Sequence, residues 1–163
     1  MTSSTPADHH FDSIIIGAGS SCCVLANRLS ANLNCEVLLL EAGPRDHHPL
    51  IHMPAGVALL LKHKKLNWYY RSAPQEAMNE RQITIPRGKT LGGSSAINGM
   101  VHIRGQREDY DEWRSLGNAG WGYDDVLPFF RQSETNLGAN LDSGYHGSQG
   151  PLTISDRTST HPL

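Results

Sequence analysis

No part of this sequence limits the fold more than residues 11–43, FDSIIIGAGSSCCVLANRLSANLNCEVLLLEAG. The apolar run Ile14-Ile15-Ile16 breaks at Gly17 and Gly19, gives way to helical spacing, and returns as Val37 to Leu40 before stopping on Glu41. Cys22, Leu25, Ala26 and Leu29 recur at i, i+3, i+4 and i+7, which predicts a helix over Ser20 to Asn32 with one face against a sheet. The order is strand, glycine turn, helix, strand: the βαβ unit of a Rossmann-like α/β fold. Gly17 permits the sharp reversal after the first strand, and Gly19, lacking a Cβ, lets a diphosphate approach the backbone. That diphosphate then lies on the free N–H groups and positive dipole end of the helix, where Ser20 and Ser21 stand. Glu41 falls nineteen residues after Cys22, where an acid accepts a hydrogen bond from a ribose hydroxyl. The expected ligand is a dinucleotide carrying adenosine.

One position departs from the fingerprint. The third slot holds Cys22, where a glycine ordinarily lets the helix pack closely on the strand. A side chain forced into that contact costs about 1–3 kcal/mol if the backbone cannot yield. A structural strand-helix-strand unit that binds nothing is the competing reading, and Cys22 is its main support.

Composition narrows the classes. With 163 residues, the chain is long enough for one domain burying about 70% of its unfolded surface. Fourteen basic and sixteen acidic side chains leave a formal charge of −2 with no basic stripe, so no nucleic acid partner is expected. Cys22, Cys23 and Cys35 show no metal or disulfide spacing, which favours a reducing compartment, and a cytoplasmic location is expected. A thiolate role for Cys22 and Cys23 at the helix start is weighed against packing beside the strand, and packing is preferred. Residues 1–10, MTSSTPADHH, read as a mobile tail with neither leader character nor an apolar span. The nine histidines include no pair at helical ligand spacing with a third partner, so no metal site is expected.

Further along, Val57 to Leu61 predicts a short helix ended by lysines, and Asn67 to Arg71 predicts a strand pairing with Gln82 to Ile85. Residues 86–105, PRGKTLGGSSAINGMVHIRG, form the second informative stretch. Gly88, Gly92, Gly93 and Gly99 alternate with Thr90, Ser94 and Ser95, exposing backbone to a large planar ligand. A helix from Ser95 through Met100 would aim N–H groups at it, and Leu91, Ile97, Met100 and Val101 predict that the loop is buried. Arg107 to Leu116 predicts an amphipathic helix with Tyr110, Trp113 and Leu116 on one side. A second helix runs from Asp124-Asp125 toward Glu134, with Val126, Phe129 and Phe130 as its apolar face. Asn136 to Gly150 reads as a polar loop and Leu152 to Ile154 as a strand, after which the chain ends at His161-Pro162-Leu163 without a closing element, as an interrupted domain.

Both glycine stretches together resemble the N-terminal part of the glucose-methanol-choline (GMC) flavoprotein oxidoreductases, in the style of choline dehydrogenase-like alcohol dehydrogenases. The resemblance runs from Asp12 to about Ile154. Its most specific piece is Arg87 to Gly105, joined by DYDEW at 109–113, GWGYDDVLPFF at 120–130 and YHGSQGPL at 145–152. It implies an incomplete α/β FAD-binding domain with the first elements of a substrate domain: an ADP-binding βαβ unit at 11–43, a flavin-contacting loop at 86–105, and a catalytic part absent from the chain. By the same resemblance, Gly17, Gly19, Ser20 and Ser21 hold the FAD diphosphate and Glu41 the adenosine ribose. Thr90, Asn98, Gly99, Met100 and Val101 contact the flavin half, with Gly92 and Gly93 giving backbone clearance. Some family members bond the flavin to a histidine where this chain has Ile97, so FAD is expected to be non-covalent.

The implied chemistry is oxidation of a small-molecule alcohol, with a histidine taking the hydroxyl proton and the Cα hydride passing to flavin N5. That histidine and its partner belong to a late segment of the family, so no catalytic residue is assigned here and turnover by this chain alone is not expected. A vestigial nucleotide-binding fragment is the second reading. An NAD-dependent dehydrogenase is the third, which explains 11–43 but not 86–105.

Overall fold

A computed structural model describes residues 9–139 and 141–156. The expected tail, except for His9 and His10, and the segment after Asp156 lie outside the described residues. The chain divides into two compact units, Met1–Val101 and His102–Leu163.

In the first unit, β1 (Ser13–Ile16), α1 (Ser20–Leu29) and β2 (Val37–Leu40) form the expected βαβ unit. The strands pair in parallel, Ser13 opposite Val37 through Ile16 opposite Leu40. Alternation along β1 buries Ile15 at 7% exposure and leaves Ile14 and Ile16 at 59% and 82%. α1 ends at Leu29, three residues before the expected end, because Ser30 caps it by donating its N–H to Ala26 O and Asn32 turns back on Leu29 O. Its expected inner face is only partly realised: Cys22 and Ala26 are half-buried, whereas Leu25 and Leu29 remain exposed on a sheet that has two strands among the described residues.

The short helix α2 (Val57–Leu60) forms as expected and puts Leu60 into a small core with Leu66 and Ile97. The expected hairpin is present but short, β3 (Tyr70–Arg71) antiparallel to β4 (Thr84–Ile85), with Asn67 bridged to Gly88 beyond it. Asn67 anchors its base from a site 2% exposed. Its amide donates to Leu61 O and accepts the N–H groups of Tyr69 and Arg87, so no buried polar atom of that side chain is wasted.

The expected helix from Ser95 to Met100 is not formed. A single 3₁₀ turn occupies Gly93–Ala96 instead. Gly92 and Gly93 take φ of +90° and +58°, which starts a tight turn, and Met100 at φ +58° cannot continue a right-handed helix. Burial of this loop is also less than expected: Ile97 is 3% exposed, but Met100 and Val101 are 59% and 80% exposed.

The second unit contains α3 (Arg107–Ser115), α4 (Tyr123–Ser133), and the parallel pair β5 (Glu134–Asn136) and β6 (Leu152–Ile154). Both helices begin with their N3 aspartate reaching back to cap: Gln106 N–H donates to Asp109 Oδ2 and Gly122 N–H to Asp125 Oδ2. Tyr110 makes the packing, meeting Trp113, Tyr123 and Phe130 at ring separations of 5.4, 6.2 and 5.6 Å. Phe129, expected on the inner face of α4, is 68% exposed, and Tyr123, at 8%, is the buried aromatic of that helix.

Candidate dinucleotide site

The glycine turn after β1 is held from three sides. Gly17 N–H donates to Leu40 O at 2.7 Å, at φ +93°, which glycine adopts without strain. Ala18, fully buried, donates its N–H to Glu41 Oε2 at 2.8 Å. Its carbonyl accepts the Gly92 N–H, also at 2.8 Å. The two glycine stretches, more than seventy residues apart in sequence, therefore meet backbone to backbone. Glycine is required at that meeting: a Cβ on Gly93 would lie 2.8 Å from Gly19 Cα.

α1 opens onto this turn with an uncapped N-terminus. Gly19 provides no capping side chain and the first turn carries no acid, so the first N–H groups of the helix have no side-chain acceptor among the described residues. A Cβ at Gly17 or Gly19 would meet nothing within 4 Å and would project into open space. That space is a cleft of about 620 Å³ whose lining includes Gly17, Gly19, Glu41 and Gly93. Trp68, Tyr70 and Arg87 complete its wall, with Trp68 stacked on Tyr70 at 5.9 Å and Lys89 Nζ 4.3 Å from the Trp68 ring centre. Sequence reasoning had read Asn67 to Arg71 only for strand pairing. Tyr69, at φ +55°, breaks the extended chain between them, and Trp68 and Tyr70 stack on the same side.

Cys22 is accommodated. It is half-buried, with Sγ 3.8 Å from Ile16 O, and Cys23 Sγ lies 3.2 Å from Ala18 O. Both thiols sit beside the strand-to-helix contact, as packing predicts.

Of the remaining expected residues, Gly93 lines this cleft, three line a second cavity, and Ser20, Ser21, Thr90, Gly99 and Val101 line neither. Gly92, Asn98 and Met100 line a cavity of about 290 Å³ together with Asp46, His52 and the apolar Leu50, Leu60 and Leu91. The turn at Gly92–Gly93 separates the two spaces: Gly93 faces the first and Gly92 the second. Asn98 thus does not share the Gly17 cleft but lies across that turn from it. Its Oδ1 accepts the Met100 N–H at 2.9 Å and so stabilises the positive φ of Met100. Thr90 is fully buried and its hydroxyl donates to Pro44 O at 2.8 Å. Ser20, Ser21, Gly99 and Val101 are exposed.

The second unit holds a charged centre that sequence reasoning missed. Glu134 is 1% exposed, and Arg104, 4% exposed, places Nη2 at 2.7 Å from Glu134 Oε1. That approach is poorly aligned for a hydrogen bond and acts as an ion pair. His146 Nδ1 and the Gly147 N–H reach the same oxygen at 2.9 Å, and His102 Nε2 lies 3.3 Å from Oε2. The guanidinium is held between Phe130 and Tyr145, 5.1 and 4.5 Å from their ring centres. Burial alone would raise the Glu134 carboxyl, but the Gly147 N–H, Arg104 and His146 outweigh it and lower it to about 2.

Among the described residues no helix is long and apolar enough to cross a membrane, and no group of three or more His, Cys, Asp and Glu side chains, the Glu134 centre included, is arranged to hold a metal ion.

Comparison with known proteins matches residues 11–161 to the family model for GMC oxidoreductase. An alcohol dehydrogenase [acceptor] of Pseudomonas putida is 54% identical over 153 residues, which cover 94% of this chain and 28% of that protein. An oxygen-dependent choline dehydrogenase of Rhizobium etli is 47% identical over 152 residues, 93% of this chain and 27% of the relative. Among solved structures, a formate oxidase of Aspergillus oryzae studied for modification of its FAD superposes with a TM-score of 0.81 at 31% identity, covering 93% of this chain and 27% of that one. The chain therefore spans a little over a quarter of the length of these relatives.

Proposed function

The chain belongs to the GMC oxidoreductase family, and from that premise we propose that it forms the FAD-binding portion of an FAD-dependent oxidoreductase acting on a small-molecule alcohol. The observation that carries the reading is the Gly92-to-Ala18 backbone contact, which brings the fingerprint turn and the second glycine stretch into one structure with a cavity on either side.

The residues present fit the cofactor. The uncapped α1 N-terminus beside Gly17 and Gly19, with Ser20 and Ser21 in its first turn, suits a diphosphate. Glu41 stands at the cleft wall for a ribose hydroxyl. Across the Gly92–Gly93 turn, Asn98 and Met100 with the adjoining Gly99 and Val101 form the expected flavin-side surface, apolar on its Leu50, Leu60 and Leu91 flank. Residues 11–43 would then serve the ADP half and 86–105 the flavin half. Ile97 belongs to the core with Leu60 and Leu66 and offers no nucleophile, so the attachment is non-covalent.

FAD, when bound, supplies the acceptor for the alcohol's hydride. What this chain's residues do is bind and orient that acceptor; the base that takes the hydroxyl proton lies, by family resemblance, outside these 163 residues. His102 and His146 are engaged with Glu134 and are not assigned the role. The similarity to relatives named alcohol and choline dehydrogenases supports an alcohol as the substrate class.

The test is purification of the chain, incubation with FAD, and desalting. The expected result is a flavin spectrum that stays with the folded protein and passes wholly into the filtrate on denaturation, with no turnover of choline or of a panel of aliphatic and aryl alcohols with an artificial acceptor. Protein that remains colourless overturns the cofactor assignment; alcohol-dependent reduction above a blank overturns the statement that the base lies elsewhere.

A further inference from the structure

Glu41 is expected to meet a ribose hydroxyl, yet both of its carboxylate oxygens are already engaged by backbone. Oε2 accepts the Ala18 N–H and Oε1 the Gly43 N–H, each at 2.8 Å. From Ala18 the chain of contacts continues through its carbonyl to the Gly92 N–H at 2.8 Å, and from Gly93 N–H to Thr90 O at 2.8 Å. Thr90 then returns it: its hydroxyl donates to Pro44 O at 2.8 Å, the Leu91 N–H donates to the same oxygen at 3.0 Å, and Pro44 adjoins Gly43. The circuit is closed, and it is dry at two points, since Ala18 and Thr90 are both 0% exposed. It is also compact, because a Cβ on Gly43 would collide with the backbone of Lys89 and Thr90.

We infer that Glu41 and Thr90 are positioning residues that hold three separate backbone segments, Gly17–Gly19, Gly43–Pro44 and Thr90–Gly93, in their ligand-ready arrangement before any nucleotide arrives. The consequence for binding rests on the FAD reading above; the circuit itself does not. Physically, a carboxylate is the side chain suited to this place. It presents acceptors in two directions, whereas a glutamine would turn an NH₂ toward one of the two backbone donors and push that segment away. Prior fixing of the cradle removes an ordering cost that a nucleotide would otherwise meet on binding. Each carboxylate oxygen keeps a further lone pair, so the bracing role and the ribose contact are compatible.

Two measurements on the whole chain decide it. The first needs no ligand: amide hydrogen exchange of the Glu41→Gln and Thr90→Val variants. The expected result is exchange at least about fivefold faster at Ala18 and Gly43 in Glu41→Gln and at Gly93 in Thr90→Val, while Tyr110 to Ser115 in α3 is unchanged. The second is the affinity of ADP and of 2′,3′-dideoxy-ADP. A brace predicts that Glu41→Gln weakens even the dideoxy analogue, which has no ribose hydroxyl to lose, by about fivefold or more, and that Thr90→Ser restores what Thr90→Val loses. Unchanged exchange, or loss of ADP affinity with the dideoxy analogue unaffected, overturns the inference and leaves Glu41 as a ribose acceptor only. If the parent chain binds neither nucleotide, the cofactor reading fails while the exchange data still decide the brace. Should Glu41→Gln fail to fold, Thr90→Val, nearly isosteric and lacking only the hydroxyl bond, carries the same decision.

Discussion

Replacing Glu134 by glutamine keeps the shape of the side chain and removes its charge, which isolates the electrostatic contribution of the buried centre in the second unit. Two routes give its size. The fall of the carboxyl from the usual 4.5 to about 2, at about 1.4 kcal/mol per unit, corresponds to about 3 kcal/mol favouring the charged folded state. Independently, removing one partner of a buried ion pair costs about 3–5 kcal/mol, because the other charge is left uncompensated. Arg104 keeps its two aromatic neighbours, so the lower end applies, and the routes agree. The expected result is a loss of about 3 kcal/mol in equilibrium denaturation at neutral pH, followed by the emission of Trp113 and Trp121. The sign with pH is fixed as well. A depressed carboxyl stabilises fully above its unfolded value of 4.5 and loses that contribution as pH falls toward about 2. The parent should therefore weaken steeply across that window, and Glu134→Gln should be flatter there. A variant within about 0.5 kcal/mol of the parent, with an unchanged acid limb, would refute the reasoning.

Gly93→Ala puts a Cβ at φ +58° and 2.8 Å from Gly19 Cα, so it should destabilise the first unit by about 1–3 kcal/mol in thermal denaturation. Gly19→Val should fold as the parent does, since its side chain enters open space, but should reduce FAD uptake at least about tenfold by filling the cleft, as read by fluorescence titration. Cys22→Gly should leave FAD affinity within about threefold, because the thiol already fits beside Ile16 O, and should cost α1 about 0.5–1 kcal/mol in helix propensity.

The βαβ unit was legible because its signals are local: the spacing of Ile15, the glycines and Val37 to Leu40 specify strand, turn and strand within thirty residues. So was the short pairing of β3 with β4, where a polar turn separates two strand-prone runs. The Ser95–Met100 helix does not form because the two consecutive glycines just before it take positive φ values that set up a 3₁₀ turn. The exposure of Leu25, Leu29 and Phe129 shows the limit of periodicity, which names the apolar side of a helix without saying what covers it. The Glu134 centre was illegible for a different reason. Glu134 follows a helix whose charged residues are mostly at the surface, and its partners His102, Arg104 and His146 come from segments thirty residues before and twelve after it. Nothing in their spacing marks them; the usable hint was an acid opening a run that pairs as a strand, Glu134-Thr135-Asn136 opposite Leu152-Thr153-Ile154. Glu41 was picked out as a ligand contact by its spacing from the glycine turn and Thr90 by family resemblance, whereas their existing backbone partners emerge only in three dimensions.

The account rests on two glycine stretches serving one cofactor, and amide shifts in the chain titrated with FAD test this most directly. The expected result is that Gly17 to Ser21 and Gly92 to Val101 shift together, at the same FAD concentration, whereas ADP moves mainly the first group. Shifts confined to Gly17–Ser21 with FAD as with ADP would contradict it, leaving a nucleotide fold with no flavin side.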